Sequence, residues 1–250
     1  MKLIVSGEGP TDIGACNNAQ GVCFDGDFSP GPMTIWLQRL WELLLGYDLR
    51  SFPEAVIFIS ETTLAQEAKR SRGRMQSLRG RHQQAETGLY YNNAKQLGLA
   101  AKKWQAKDGS PVIAVLFRDS DGTRSAPGQL WHNQWQSILD GFKAADFDFG
   151  VPMLPKPKSE VWMLACTQQG HPSYAALEDI SGNDNAPRSA KSQLDHALGG
   201  HQSAAQLALW CQDHPSDWEP LQTMPSFKAF YARFYAVANA ILHPTKAAAV

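Results

Sequence analysis

Several common signatures are missing from the 250 residues of this chain. There is no GxxxxGK[ST] loop and no GxGxxG motif after a strand, so the sequence indicates neither an intrinsic ATPase nor dinucleotide binding. The four cysteines form no CxxC pair, and the seven histidines give no pair at metal-ligand spacing. We therefore expect reduced thiols and no zinc site. The apolar stretch of residues 2–6 is too short for a signal peptide or a membrane span, which predicts a cytoplasmic protein that does not contact a membrane.

The composition, with 43% hydrophobic and 19% charged residues, is typical of a globular domain with a substantial core. A net charge of −1 hides one uneven region, because residues 69–103 carry nine basic side chains and only one acid, Glu86. We call its first part the basic segment; it contains Lys69, Arg70, Arg72, Arg74, Arg79 and Arg81. Such a run attracts polyanions and indicates nucleic-acid binding, although a solvated helix face or loop explains it equally well.

Short apolar runs bounded by turn residues predict four buried strands, at residues 2–6, 55–60, 112–117 and about 149–153. Helical spacing predicts helices between and after them, over residues 33–45, much of 63–105, 131–142, 202–210 and 226–242. Strands that alternate with helices favour an α/β fold with a mostly parallel sheet flanked by helices. In such folds, functional side chains lie at the carboxyl ends of the strands.

Acidic side chains follow two of the predicted strands. Glu8 comes directly after the first strand in a glycine-containing turn, and Asp119 and Asp121 follow the third strand. If these strands are neighbours, the three carboxylates converge and need a counter-ion. Hard oxygen ligands suit Mg²⁺ or Mn²⁺, so the pattern predicts a site for one of these metals. Each acid taken alone is also explained by a polar turn or a helix cap.

The run Glu8-Gly9-Pro10-Thr11-Asp12 after a strand, followed by Asp119-x-Asp121 after a later strand, resembles the TOPRIM domain, most closely that of the OLD-like nucleases. The stretch of residues 155–165 is similar to a segment of small bacterial TOPRIM-like proteins of unknown function. The resemblance implies a TOPRIM/Rossmann-like core over residues 1–165, with helical insertions at about 14–52 and 65–108. Residues 166–250 would then form a mainly helical carboxyl-terminal cap on this core.

The resemblance also implies roles for individual residues. Glu8 would be a metal ligand and general base, and Asp119 and Asp121 would be ligands of the same ion. Asp12 and Glu160 would complete a second metal site, and a lysine would stabilise the charge that develops on the scissile phosphate. Lys156, Lys158 and Lys191 are the candidates for that lysine, and the sequence does not separate them.

The activity implied is Mg²⁺- or Mn²⁺-dependent cleavage of nucleic-acid phosphodiesters, with DNA expected ahead of RNA. Because genes of similar proteins often lie beside those of ABC/AAA-type ATPases, the resemblance also implies an ATPase partner and a role in defence against phage. A chain of this kind would be an effector subunit whose cleavage is silent until it is triggered.

Two other interpretations stay open from the residues. The run Asp119-Ser120-Asp121-Gly122-Thr123 is also similar to the nucleophile motif of haloacid-dehalogenase-like phosphatases, although that motif normally opens the domain. A non-catalytic subunit, which binds nucleic acid through the basic segment and docks on a partner through its helical end, is the third hypothesis.

Overall fold

The chain folds around one mostly parallel five-stranded sheet. In this computed structural model, the described residues are 1–18, 20–52, 54–72, 87–120, 127–167, 171, 173–214 and 218–244. The strands are β1 (Lys2–Gly7), β2 (Gly14–Cys16), β3 (Val22–Phe24), β4 (Phe28–Pro30), β5 (Val56–Ile59), β6 (Val112–Phe117) and β7 (Gly150–Met153). The α-helices are α1 (Pro32–Leu45), α2 (Glu61–Arg72), α3 (Gly88–Asp108), α4 (Pro127–Ala144), α5 (Ser159–Ala165), α6 (Ala190–Ala197), α7 (Ala204–Asp213), α8 (Trp218–Gln222) and α9 (Pro225–Leu242).

The order of strands in the sheet is β3-β5-β1-β6-β7. The four predicted strands, β5, β1, β6 and β7, are parallel neighbours, and β3 adds an antiparallel edge next to β5. The register pairs Gly7 at the end of β1 with Phe117 at the end of β6. Residues that directly follow β5, β1 and β6 therefore emerge side by side at one edge of the sheet.

Alternate side chains of each central strand enter two separate apolar layers, as the period of two along a strand requires. On β1, Leu3 and Val5 face one layer and Ile4 faces the other. The layer of Ile4 is closed by α2, α3 and α4, with Leu64, Leu97 and Ile138 in its core. This arrangement confirms the predicted α/β class, with helices on both faces of a mostly parallel sheet.

The opposite layer joins α1 and α5 to the carboxyl-terminal helices. Trp162 of α5 packs against Phe227 and Phe230 of α9, with ring centroids 5.0 Å and 5.7 Å apart. A buried hydrogen-bond chain supports this contact, because Trp162 Nε1 donates to Ser226 Oγ at 2.9 Å and Ser226 Oγ donates to Glu178 Oε1 at 2.6 Å. Residues on both sides of position 165 thus share one continuous core.

The first half of the expected helical insertion at 14–52 is instead extended. β2 pairs antiparallel with β4, and β3 joins the main sheet, before α1 begins at Pro32. These strands have only three residues each, which is too short for an alternating pattern to stand out in the sequence. The helical expectation is confirmed for α1, which ends at Leu45 and is followed by Gly46 in the left-handed conformation.

The expectation of four reduced thiols is wrong for one pair. Cys16 at the end of β2 and Cys23 in β3 form a disulfide with Cα atoms 5.7 Å apart, whereas Cys166 and Cys211 are free. Among the described residues, no helix combines the length and the apolar character needed to cross a bilayer.

Candidate functional site

Glu8 occupies the predicted position at the carboxyl end of β1, and two glycines shape its surroundings. A Cβ atom on Gly7 would lie 2.4 Å from the carbonyl oxygen of Phe117, so only glycine lets β1 and β6 approach this closely at their ends. Gly9 has a φ of +76°, which other residues rarely adopt, and it turns the chain away from the sheet. Glu8 is therefore held beside the first residues that follow β6.

Glu8 contacts both residues that follow β6. Its Oε1 atom accepts a hydrogen bond of 3.1 Å from the backbone N–H of Asp119, and its Oε2 atom is paired with Nη2 of Arg118. The carboxylate of Glu8 therefore meets the backbone of Asp119, whose own carboxylate accepts from the N–H of Ser159. Asp121, the third predicted carboxylate, lies outside the described residues.

A fourth acid, Glu61, lies at the same edge of the sheet and was not predicted from the sequence. It is the first residue of α2, two positions after the end of β5, and its Oε1 atom pairs with Nη1 of Arg118. Asn93 Nδ2 donates to the same oxygen at 2.7 Å. We refer to Glu8, Glu61 and Arg118 as the Arg118 cluster. Burial opposes the charge on Arg118, but Glu8, Glu61 and Tyr90 together outweigh burial and raise the pKa of the guanidinium.

Asp12 is positioned by the turn after Glu8 and by the start of α1. Its backbone N–H donates to the carbonyl of Gly9 at 3.2 Å, and its carbonyl accepts from the backbone N–H of Met33 at 2.9 Å. On its side chain, Oδ2 accepts from the hydroxyl of Thr11 at 3.0 Å, and Oδ1 accepts from the hydroxyl of Ser159. Thr11 of the sequence motif therefore helps to hold the side chain of Asp12.

Ser159 joins the carboxylates that follow β1 to the carboxylate that follows β6. Its backbone N–H donates to Oδ1 of Asp119 at 3.0 Å, and its hydroxyl contacts both Asp12 and Oε2 of Glu160, the latter at 3.4 Å. We refer to Asp12, Ser159 and Glu160 as the Ser159 cluster. The backbone N–H of Ser120 holds this segment in place through the carbonyls of Pro155 and Pro157, at 3.3 Å and 3.0 Å.

The two acids of the Ser159 cluster are half-buried, and the pKa of each is raised. Burial raises the pKa of Asp12 above its ordinary value, although hydrogen bonds from Ser159 and Thr11 and the positive charges of Lys158 and Lys191 act in the opposite direction. Burial likewise raises the pKa of Glu160, and the negative charge of Asp12 adds to this effect. A cation placed between these groups would therefore be attracted strongly.

The predicted catalytic lysines lie near the Ser159 cluster, but acids of a surface loop hold their amino groups. Lys156 Nζ lies 3.4 Å from Asp179, and Lys158 Nζ lies 2.9 Å from Asp184. Lys158 directly precedes α5. Of the three candidates, Lys158 and Lys191 are close enough to lower the pKa of Asp12 by their charge.

The basic segment begins on α2 and continues outside the described residues. Lys69 and Arg70 are exposed near the end of α2, and Arg70 pairs with Glu67 at 2.6 Å. Eight residues of helix separate Glu61 from Lys69, a rise of about 12 Å along the axis. Arg74, Arg79 and Arg81 lie outside the described part of the chain, and α2 ends at Arg72.

The donor types fit a hard divalent cation, since the ligand candidates are all carboxylates and two of them are half-buried acids with a raised pKa. In the described ranges, no three histidine, cysteine, aspartate or glutamate side chains stand in metal-binding geometry. Glu8 and Asp119 are brought together, and Asp12 and Glu160 adjoin them through Ser159.

Comparison with protein-family models, with curated proteins and with solved structures finds no match to this chain.

Three residues of the site escaped the sequence analysis: Glu61, Arg118 and Ser159. Glu61 had a usable signal, because it follows the second predicted strand just as Glu8 follows the first and Asp119 the third. Arg118 adjoins Asp119 in the sequence, but no sequence pattern indicates that its side chain lies between two acids. Ser159 gives no signal either, since its contacts depend on how residues 155–159 pack on the end of β6.

Proposed function

We propose that this chain is a metal-dependent nuclease that hydrolyses nucleic-acid phosphodiesters. The observation that supports the proposal best is the hydrogen bond from the backbone N–H of Asp119 to Glu8, which puts both residues at the carboxyl ends of two adjacent parallel strands, where functional groups of open α/β sheets lie. The half-buried acids of the Ser159 cluster would add two more hard ligands beside them.

In this proposal, Glu8, Asp119 and Asp121 would hold one Mg²⁺ or Mn²⁺ ion, and Asp12 and Glu160 would hold a second. The bound metal supplies an activated water and stabilises the leaving oxygen. The chain itself orients the ligands, because the N–H of Asp119 holds Glu8 and the N–H of Ser159 holds Asp119. Lys158 lies beside the Ser159 cluster, where its charge would bind a phosphate once Asp184 is displaced.

DNA as the preferred substrate, an ABC/AAA-type ATPase partner and a role in phage defence belong to the same proposal and follow from the resemblance alone. A cytoplasmic location is also part of the proposal and follows from the short apolar stretch of residues 2–6. The disulfide between Cys16 and Cys23 weighs against the cytoplasm, where such bonds rarely persist.

The test is nicking of supercoiled plasmid in the presence of Mn²⁺, comparing the wild-type chain with Glu8→Gln and Asp119→Ala. A matched control is Asp146→Asn, because Asp146 is an exposed acid paired with Lys102 at the opposite end of the sheet. We expect nicking by the wild type and the control, and its loss in both site variants with folding intact. Equal nicking by all four proteins would reject the site.

Two other results would favour the alternative functions. A burst of phosphate from a small phosphoester, abolished by Asp119→Asn, would indicate the phosphatase. Salt-sensitive DNA binding that Glu8→Gln leaves unchanged, without Mn²⁺ binding or cleavage, would indicate a binding subunit.

A further inference from the structure

Arg118 is an unusual residue to find between two carboxylates of a proposed metal site. Its side chain is only 9% exposed, and its two terminal nitrogens contact different acids, Nη2 with Glu8 and Nη1 with Glu61. Its guanidinium also lies over the ring of Tyr90, with Cζ 4.9 Å from the ring centroid. A planar guanidinium held on three sides has a fixed orientation. Because it contacts Glu8, it also fixes the orientation of the Glu8 carboxylate.

Helix α3 supports both ends of this arrangement. Tyr90 and Asn93 lie three residues apart on one face of the helix, so both reach the same edge of the sheet. The Tyr90 hydroxyl donates to the carbonyl of Asp119 at 3.2 Å, and Asn93, which is 1% exposed, donates to Glu61 at 2.7 Å. One continuous path of contacts therefore runs from Asn93 through Glu61 and Arg118 to Glu8.

We propose that Glu61 and Arg118 are positioning residues for Glu8, with Arg118 orienting its carboxylate and Glu61 compensating the charge of Arg118. This inference rests on the proposed nuclease function and assigns a role to two residues outside the ligand set. A lone arginine beside Glu8 would repel a metal cation and neutralise its ligand. With Glu61 on the other arm, the cluster of two acids and one base keeps a net negative charge for the metal, as supporting residues around metal ligands commonly do.

A purely structural ion pair would show the same contacts, so the test needs a readout other than stability. Glu61→Gln keeps the shape and the acceptor oxygen for Asn93 but removes the charge that balances Arg118. Arg118→Lys keeps the positive charge but cannot reach both acids with two planar arms. Ser226→Ala is the matched control, because it removes a buried side-chain hydrogen-bond chain elsewhere, between Trp162 and Glu178.

The experiment measures the Kd of Mn²⁺ by calorimetry and the melting temperature without metal, for the wild type and these variants of the full chain. We expect Glu61→Gln to weaken Mn²⁺ binding by about 10- to 100-fold, Arg118→Lys to weaken it less, and Ser226→Ala to leave it unchanged. The double variant Glu61→Gln/Arg118→Gln restores the balance of charge but not the orientation of Glu8, so its Kd should remain weak.

The outcomes separate this inference from the function on which it rests. If the wild type binds Mn²⁺ and nicks plasmid while Glu61→Gln binds Mn²⁺ equally well, the nuclease proposal stands and the positioning role is rejected. Recovery of the wild-type Kd in the double variant would also reject positioning, because charge alone would explain the effect. If the wild type neither binds Mn²⁺ nor nicks, both proposals are wrong.

Discussion

The two groups of acids at the carboxyl ends of the strands differ in how their negative charge is compensated. In the Arg118 cluster, Glu8 and Glu61 share one guanidinium, whose pKa they raise against the effect of burial. In the Ser159 cluster, Asp12 and Glu160 share a hydroxyl, and burial raises the pKa of both acids. The first cluster carries its own cation, whereas in the second the effect of burial on Asp12 outweighs that of the nearby Lys158 and Lys191.

This difference indicates separate roles for the two clusters. A carboxylate that is already compensated keeps its orientation and charge whether or not a ligand is present, which suits an anchoring group. Acids whose pKa stays raised despite nearby lysines gain the most when a cation arrives. We therefore expect removal of Arg118 to damage the fold, and removal of Asp12 to stabilise the metal-free protein while weakening its response to metal.

The largest expected effect comes from Arg118→Met. This change leaves Glu8 and Glu61 beside each other without their cation, and breaking a buried ion pair in this way costs about 3 to 5 kcal/mol. Urea unfolding followed by circular dichroism measures the loss. Arg70→Met is the control, because Arg70 is exposed and pairs with Glu67 on the helix surface, where such pairs contribute about 0.5 kcal/mol. Similar losses of stability for both variants would show that the ion pairs of Arg118 contribute no more than an exposed ion pair.

An intermediate effect is expected from Gly7→Ala. The added Cβ would lie 2.4 Å from the Phe117 carbonyl, so the ends of β1 and β6 must separate, at a cost of about 1 to 3 kcal/mol. Because Glu8 follows Gly7 directly, the contact between Glu8 and Asp119 should open, and Mn²⁺-dependent nicking should fall further than stability alone explains. Urea unfolding and the plasmid assay measure the two effects.

Gly88→Ala is the control for this prediction. Gly88 is the first residue of α3, and a Cβ there would meet nothing within 4 Å. Its stability should stay equal or increase slightly. A Gly7→Ala variant as stable as this control would show that the two strand ends tolerate separation.

The smallest expected effect is that of Asp12→Asn on the metal-free protein. Because the pKa of Asp12 is raised by burial, the wild type loses stability as pH rises from the ordinary pKa through the raised one, and asparagine avoids this loss. The variant should therefore melt roughly 2 to 4 °C higher at pH 8, as a gain of about 1 kcal/mol gives in a chain of this size, with no advantage at pH 3.

Added Mn²⁺ should then raise the melting temperature of the wild type more than that of Asp12→Asn. Glu178→Gln is the control, since burial also raises the pKa of Glu178, which Ser226 holds far along the chain from Asp12. It should show the same dependence on pH and the wild-type response to Mn²⁺. An Asp12→Asn protein that is less stable than the wild type at pH 8 would contradict the prediction that the charged form of Asp12 destabilises the metal-free protein.

Much of the fold follows from local patterns. The apolar runs of β1, β5, β6 and β7 are buried on both faces of the sheet, so each is visible as a short continuous stretch. The apolar spacing predicts α1, α4 and α9. It places the starts of α1 and α9 within about two residues of the observed starts. The three-residue strands β2, β3 and β4 were missed because their pairing partners, rather than their own patterns, make them extended.

The sequence by itself determined the α/β class and placed Glu8 and Asp119 at the ends of strands, because both follow from periods of a few residues. Only the tertiary structure decided that β5, β1 and β6 are neighbours, and hence that Glu61 joins Glu8 and Arg118 although 53 and 57 positions separate them. It also decided the contact of Ser159 with Asp12, 147 residues away. Such contacts depend on how the whole chain packs its two apolar layers, which no local pattern specifies.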